Sequence, residues 1–235
     1  MRDRLRPQAA AQRRFNQWLS EADRLDNERM TVAMAAALRS DSNCVDVGAF
    51  TGDFFADCQR LAPDGHHIAY EPLREPYLSL TERFPGADLR QLALSNEIGE
   101  TDFTHVANFP GWSAFRPYYI QTPEPAELET IRVRTTRLDD DLPTGYVPDL
   151  IKVDVNGAEE LFILGAIETL RRYKPLVFLE HNFPAAEYGT TSGEIHRLLA
   201  DEAGLRLFDL EGTGPLSVDG FTLALKTKWN FLARP

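Results

Sequence analysis

The apolar positions of this chain change period as it runs, and those changes mark out its elements. Over residues 5–39, Phe15, Trp18, Leu19, Ala22 and Leu25 recur at helical intervals among Ala, Arg, Glu and Gln. That spacing predicts one or two amphipathic helices. Short apolar runs then alternate with helical patterns: strands over 43–47, 67–70 and 89–94, helices over 53–61 and 76–84. The alternation predicts a parallel βαβ series. A turn from Asn96 to Gly99 leads into 101–106, which reads as a strand returning in a hairpin.

Residues 108–129 hold Pro110, Pro117, Pro123 and Pro125 with Trp112, Phe115, Tyr118 and Tyr119, and are expected to cross the sheet irregularly. The pattern resumes with a strand at 131–134, a turn-rich stretch at 139–148 and a strongly apolar strand at 150–155. One helix over 158–173 keeps Leu161, Leu164, Ile167 and Leu170 in step. A strand at 176–179, a helix at 193–203 and extended pieces at 205–210 and 229–233 follow. There is no internal repeat or low-complexity linker.

At 235 residues and 43% hydrophobic, the chain suffices for one domain with a large core. The expected division is a helical appendage or lid over 1–40 and a main domain over 41–235. Thirty-six acidic against 25 basic residues give a formal charge of -11, which opposes phosphate-rich partners and sets nucleic acid aside. The early apolar run 31–38 is short and follows a charged segment, so neither a signal peptide nor a membrane span is expected, and a cytoplasmic protein is. Cys44 and Cys58 lack metal-ligand spacing and read as buried structural thiols.

The densest chemical signal is V-D-V-G-A-F-T-G-D-F, Val45 to Phe54, a strand, a glycine turn and a helix start, followed by Glu71 at the end of the next strand. Asp46 stands two residues before Gly48, and Gly52 four after it, which departs from the dinucleotide form G-x-G-x-x-G. A pyrophosphate at this turn would meet the Asp46 carboxylate, whereas S-adenosylmethionine (SAM) carries a sulfonium and an ammonium and no phosphate. Glu71 is placed to receive a ribose. Read as structure alone, the glycines permit a tight turn and Glu71 complements a helix dipole. A second signal is D-L-I-K-V-D-V-N-G-A-E-E, Asp149 to Glu160. Lys152 and Asp154 sit in a strand buried on both faces, where charges need partners or a job. Glu159 and Glu160 open the next helix.

These motifs, with Y-E-P at 70–72, A-L-S-N-E-I-G at 93–99, R-T-T-R-L-D-D at 134–140 and K-P-L-V-F-L-E at 174–180, resemble those of the FkbM-type SAM-dependent methyltransferases over most of 43–180. The resemblance implies an α/β fold of the Rossmann-like class I methyltransferase type. Its mostly parallel seven-stranded sheet would carry helices on both faces, plus the N-terminal helices. It also implies transfer of a methyl group from SAM, usually to a hydroxyl oxygen, and a cofactor site at Asp46, Gly48, Ala49, Phe50, Gly52, Glu71, Pro72, Ala93, Leu94 and Asp154. One position departs: the family commonly has an acid where this chain has Asn156.

An alcohol is a poor nucleophile at neutral pH, so a base is expected beside the methyl donor. His181 is the candidate base, with Asp154 or Glu180 orienting it; the alternative is an exposed loop histidine. His105, inside a strand, is a weaker candidate. Asp154, Glu180 and His181 could instead hold magnesium, which is not favoured because no close metal-binding spacing appears. Trp112, Tyr118 and Tyr119 are candidates for stacking on an acceptor, with Asn156 and Glu159 also on the substrate side. The alternative is that these rings anchor a loop. Asp139, Asp140 and Asp141 read as a solvated turn.

The leading reading is an O-methyltransferase acting on a glycan or hydroxylated natural product, with room for a homo-oligomer. The rivals are a nucleotide-sugar or NAD-dependent enzyme on a similar sheet, and a SAM-binding module without catalysis.

Overall fold

A computed structural model describes residues 5–118 and 124–235, with the side chains of the first helix from residue 21 onward. The chain divides into two compact units, 1–37 and 38–235. The first is a single helix, α1 (Leu5–Ala37). The second runs β1 (Cys44–Val47), α2 (Asp53–Leu61), β2 (Ile68–Tyr70), α3 (Arg74–Arg83), β3 (Asp88–Arg90), β4 (Ala93–Leu94), β5 (Gly99–Val106) and β6 (Leu128–Thr136). It continues with α4 (Leu138–Asp141), β7 (Leu150–Val153), α5 (Glu159–Gly165), α6 (Ile167–Tyr173), β8 (Leu176–Glu180), α7 (Ser192–His196), β9 (Arg206–Asp209), α8 (Val218–Ala224) and β10 (Asn230–Arg234). Among the described residues, no helix is long and apolar enough to cross a membrane.

Seven strands form one sheet in the order β3-β2-β1-β7-β8-β10-β9, with β10 antiparallel to both neighbours and the other pairs parallel. The strand order reverses between β1 and β7, the place where open α/β sheets bind ligands. The two-residue alternation of side chains explains how both faces are covered. Val45, Val47, Ile68, Tyr70, Ile151, Val153, Val177 and Leu179 point to one face, where they pack with Phe162, Ile163, Leu170, Ile195 and Leu198 in the largest core cluster. Ala69 points to the other face and meets Phe55 of α2 and Leu80 of α3. Burial of each large apolar side chain contributes roughly 2 kcal/mol.

Four expectations change. The run 89–94 is two strands in different sheets: β3 edges the main sheet, whereas β4 joins a three-stranded sheet of order β4-β6-β5. The returning strand β5 therefore pairs with β6, thirty residues on, and not with the strand before it. The helix over 158–173 breaks at Ala166, whose φ of -123° leaves the helical region, and becomes α5 and α6. The supposed solvated turn at 139–141 is structural. Asp139 accepts from the amides of Glu168 and Thr169 at 3.1 and 2.8 Å, capping α6, and Asp141 accepts from Tyr70 Oη at 2.7 Å and Arg90 Nη1 at 2.5 Å. Such carboxylate contacts draw on residues far away in sequence, which local patterning does not report.

Candidate functional site

Local backbone geometry builds one wall of the cleft. At the end of β1 the chain turns through Gly48 (φ +78°), Phe50 (φ +44°) and Gly52 (φ +78°). A Cβ on Gly48 would lie 2.0 Å from the Asp154 carbonyl oxygen, and one on Gly52 would lie 2.5 Å from Leu80 and 2.6 Å from Phe84. Both positions require glycine on conformational and steric grounds. The amides of Gly48 and Ala49 donate to the Tyr70 carbonyl at 3.0 and 3.1 Å, which locks the turn onto β2.

Glu71 completes that wall. It is buried, and its two oxygens accept from the amides of Phe50 and Leu73, each at 2.9 Å. Burial pushes its pKa up to about 7, against the pull of those two amides. Each oxygen retains a second acceptor site, which suits a vicinal diol such as a ribose.

Asp46 does not line the cleft. It lies on the face of β1 opposite Val47, in direct register with Lys152 of β7. Lys152 Nζ stands 3.5 Å from Asp46 Oδ1, 3.3 Å from Asp154 Oδ2 and 3.2 Å from the Gly48 carbonyl oxygen, to which it donates. Burial opposes the Lys152 charge, but Asp154 and Asp46 outweigh it and hold its pKa above the ordinary lysine value. Neither Asp46 oxygen has a hydrogen bond of good geometry, and burial raises its pKa despite Lys152. This ammonium therefore ties together two strands and the glycine turn.

Gly48, Phe50, Glu71, Pro72, Ala93, Leu94, Asp154 and Asn156 all border one cleft, together with Leu73, Pro110, Gly111, Ser113 and Phe115. Ala49 faces the core under the turn, and Gly52 packs α2 against α3. Trp112 lies in the turn Pro110–Trp112 but off the cleft lining, and Tyr119 is outside the described residues. Tyr118 is buried, donates to Asn156 Oδ1 at 3.2 Å and meets Phe183 edge-on at 5.9 Å.

His181 is neither an exposed loop residue nor on the cleft lining. It is 3% exposed, stacks on Phe221 and places Nδ1 3.3 Å from Glu159 Oε2. Glu159 is itself buried and accepts from the Gly157 amide at 2.8 Å, so its carboxylate is occupied within the protein. Glu180 ends β8 beside Asp154, which follows β7, and accepts from Asn182 at 2.5 Å. Burial, then the nearby Asp154 and Glu159 carboxylates, push the Glu180 pKa well above the usual range. His105 lies in β5 beside Glu129, 3.7 Å away. Among the described residues, no three His, Cys, Asp or Glu side chains gather as a metal site.

Sequence reasoning flagged Lys152 as a charge in need of partners without placing it at the site. It expected the 108–119 segment to shape the acceptor pocket through Trp112, Tyr118 and Tyr119, but did not single out Gly111, Ser113 and Phe115, which form the roof of the cleft. The cleft fits SAM: Glu71 keeps acceptor capacity toward a diol, and Leu73, Ala93 and Leu94 offer an apolar slot to a flat base.

The Methyltransferase FkbM domain model matches residues 46–207, more than half of the chain. Among solved structures, Methyltransferase FkbM from Methylobacillus flagellatus KT is similar at 13% identity and a TM-score of 0.50, covering 85% of this chain and 45% of that one. The chain thus spans less than half of that protein's length. The plantazolicin methyltransferase BpumL in complex with SAH is similar at 12% identity and TM-score 0.46, covering 93% and 88%. A TehB-like SAM-dependent methyltransferase from Corynebacterium glutamicum is similar at 13% and 0.45, covering 96% and 97%. No curated protein matches the sequence. With the family model, the reversed seventh strand and the cleft at the switch in strand order in agreement, the nucleotide-sugar and NAD readings fall away, and the chain belongs to the FkbM family of SAM-dependent methyltransferases.

Proposed function

We propose that this protein is an O-methyltransferase that transfers the methyl group of SAM to a hydroxyl of a glycan or hydroxylated natural product. The observation that carries the reading is the pair of carboxyls after β7 and at the end of β8. Asp154 borders the cleft beside the Lys152 ammonium, and burial with the neighbouring Asp154 and Glu159 carboxylates raises the pKa of Glu180 behind it. Asp154 is the carboxyl of the pair that borders the cleft, where a base for an acceptor hydroxyl is needed.

When bound, SAM supplies an electrophilic methyl on a sulfonium. Glu71 receives the ribose, the glycine turn and the apolar slot hold the rest, and Asp154 accepts the proton of the acceptor hydroxyl. Glu180, beside it at the end of β8, orients Asp154. The chain's main contribution is then to hold the hydroxyl in line and exclude water. Asp154 replaces His181 as the base because His181 is engaged by Glu159 and Phe221 off the cleft.

Phe183 is 49% exposed between Tyr118 and Trp229, at centroid distances of 5.9 and 6.1 Å. This row of rings suits the apolar face of a sugar or a fused ring. Asn156 was the sole support for a non-catalytic module, and its contacts with the roof give it a structural reason to be an amide.

The test is transfer of labelled methyl from SAM to a panel of neutral glycosides and polyhydroxylated natural products. Label should appear in an acceptor, Asp154→Asn should lower kcat by about 10²–10⁴, and His181→Gln should keep most turnover. Wild-type kcat in Asp154→Asn would move the base elsewhere, and absence of SAM binding would end the reading.

A further inference from the structure

Asn156 follows β7 at a φ of +50°, a left-handed conformation in which Asn is enriched among non-glycine residues. Next to it, Gly157 (φ +98°) lies so close to the following segment that a Cβ would fall 2.6 Å from the Pro184 carbonyl carbon. Residue 156 is thereby held in place, and its side chain points at the roof. Its Nδ2 donates to the carbonyl oxygens of Gly111 and Ser113 at 3.0 and 3.1 Å, and its Oδ1 accepts from Tyr118 Oη at 3.2 Å.

An amide has two N–H donors, and both are used here; a carboxylate has none. An acid at this position would set its oxygens against two carbonyl oxygens. The roof touches the cofactor wall as well, since a Cβ on Gly111 would lie 3.3 Å from the Phe50 ring. It is tied elsewhere as well: Thr104 and Ala114 exchange backbone bonds at 2.7 and 3.0 Å, the Val106 amide donates to Ser113 Oγ at 3.0 Å, and Arg116 donates from its amide to Tyr188 Oη at 3.2 Å and from Nη1 to the Glu187 carbonyl oxygen at 2.9 Å.

We propose that Asn156 is a positioning residue that latches the 108–118 loop over the cleft, and that the two N–H donors of its amide, which a carboxylate lacks, are what make the latch. The link to cofactor retention rests on the reading of the cleft as the SAM site; the latch itself does not.

Hydrogen exchange of the 107–118 peptide, read beside the dissociation rate of S-adenosylhomocysteine (SAH), tests it. In Asn156→Asp the amides of Trp112 to Ala114 should exchange about tenfold faster than in the wild type near pH 8, as two hydrogen bonds are lost. SAH should dissociate faster by a similar factor. Lowering the pH toward about 5 returns a proton, and so one donor, to the new carboxyl, whose pKa the facing carbonyls raise; the exchange ratio should shrink. The titratable groups around it are Tyr118 on the loop, Asp154 and Glu159 on its own segment, and Glu180 and Tyr188, which face Tyr118.

Asn156→Gly keeps the left-handed backbone without a donor. It should exchange faster at every pH with a constant ratio, which separates the latch from backbone strain. Wild-type exchange in both variants would overturn the latch. Faster exchange in a protein whose wild type never binds SAH would support the latch and overturn the cofactor reading.

Discussion

The two sides of the cleft are held by different kinds of bond. On the cofactor side the donors are mostly backbone amides close in sequence to their acceptors: the Gly48 and Ala49 amides reach the Tyr70 carbonyl, and the Phe50 and Leu73 amides reach the Glu71 carboxylate, while Lys152 adds a long-range side-chain tie to Gly48. On the roof side, side chains span long separations, Asn156 to Gly111 and Ser113, Tyr118 to Asn156, Tyr188 to Arg116. Backbone ties survive most substitutions, whereas a side-chain tie changes with one codon. The cofactor side is therefore the constant part of the cleft and the roof its adjustable part.

The sharpest way to break this contrast is under the glycine turn. Lys152→Met leaves the buried Asp46 without its counter-charge and should destabilise the fold by roughly 3–5 kcal/mol, read by urea denaturation, with Asp46→Asn in the same chain recovering most of the loss. Next, Gly48→Ala, which places a Cβ 2.0 Å from the Asp154 carbonyl oxygen, should cost about 2–3 kcal/mol and abolish SAH binding in calorimetry. Tyr118→Phe touches the roof alone. It should lower stability by about 0.5–1.5 kcal/mol and raise the acceptor KM, and because both Asn156 donors stay on Gly111 and Ser113 it should speed SAH release less than Asn156→Asp does; an effect on SAH as large as that of Gly48→Ala would erase the distinction between the two sides.

The smallest effect is a proton. Burial raises Glu71 to about 7, above its ordinary value of 4.5, so its contribution to stability is full below pH 4.5 and is lost as pH rises through about 7. Ribose hydroxyls that donate to it favour the ionised form. SAH binding near pH 7 should therefore release a fraction of a proton, seen as a buffer-dependent binding enthalpy, and Glu71→Gln should remove it.

The same contrast decides what could be read from the chain. The β1 turn, α2 and the Glu71 wall are legible because glycines, periodicity and strand ends are local signals, and α2 was placed at 53–61 as it stands. Register was not legible. Asp46 meets Lys152 only because residue 46 pairs with residue 152. Nor was the partner of β5, since β6 lies beyond the proline-rich excursion. His181 looked catalytic from its place after a strand, but the pairing that buries it with Glu159 and Phe221 comes from α5 and α8. The amide of Asn156 was noticed as a departure from the family, and its reason lay in carbonyls more than forty residues earlier.

Strand β10 lies between β8 and β9 although it is made after both, Glu180 pairing with Asn230 and Asp209 with Phe231. At about 5–20 residues per second, a ribosome leaves the inner edges of β8 and β9 unpaired for several seconds before their shared partner emerges. During that interval the edge of β8 that ends at Glu180 presents unpaired backbone groups on which another strand could pair. The order in which the chain is made, and not only its finished fold, thus decides when this sheet has open edges.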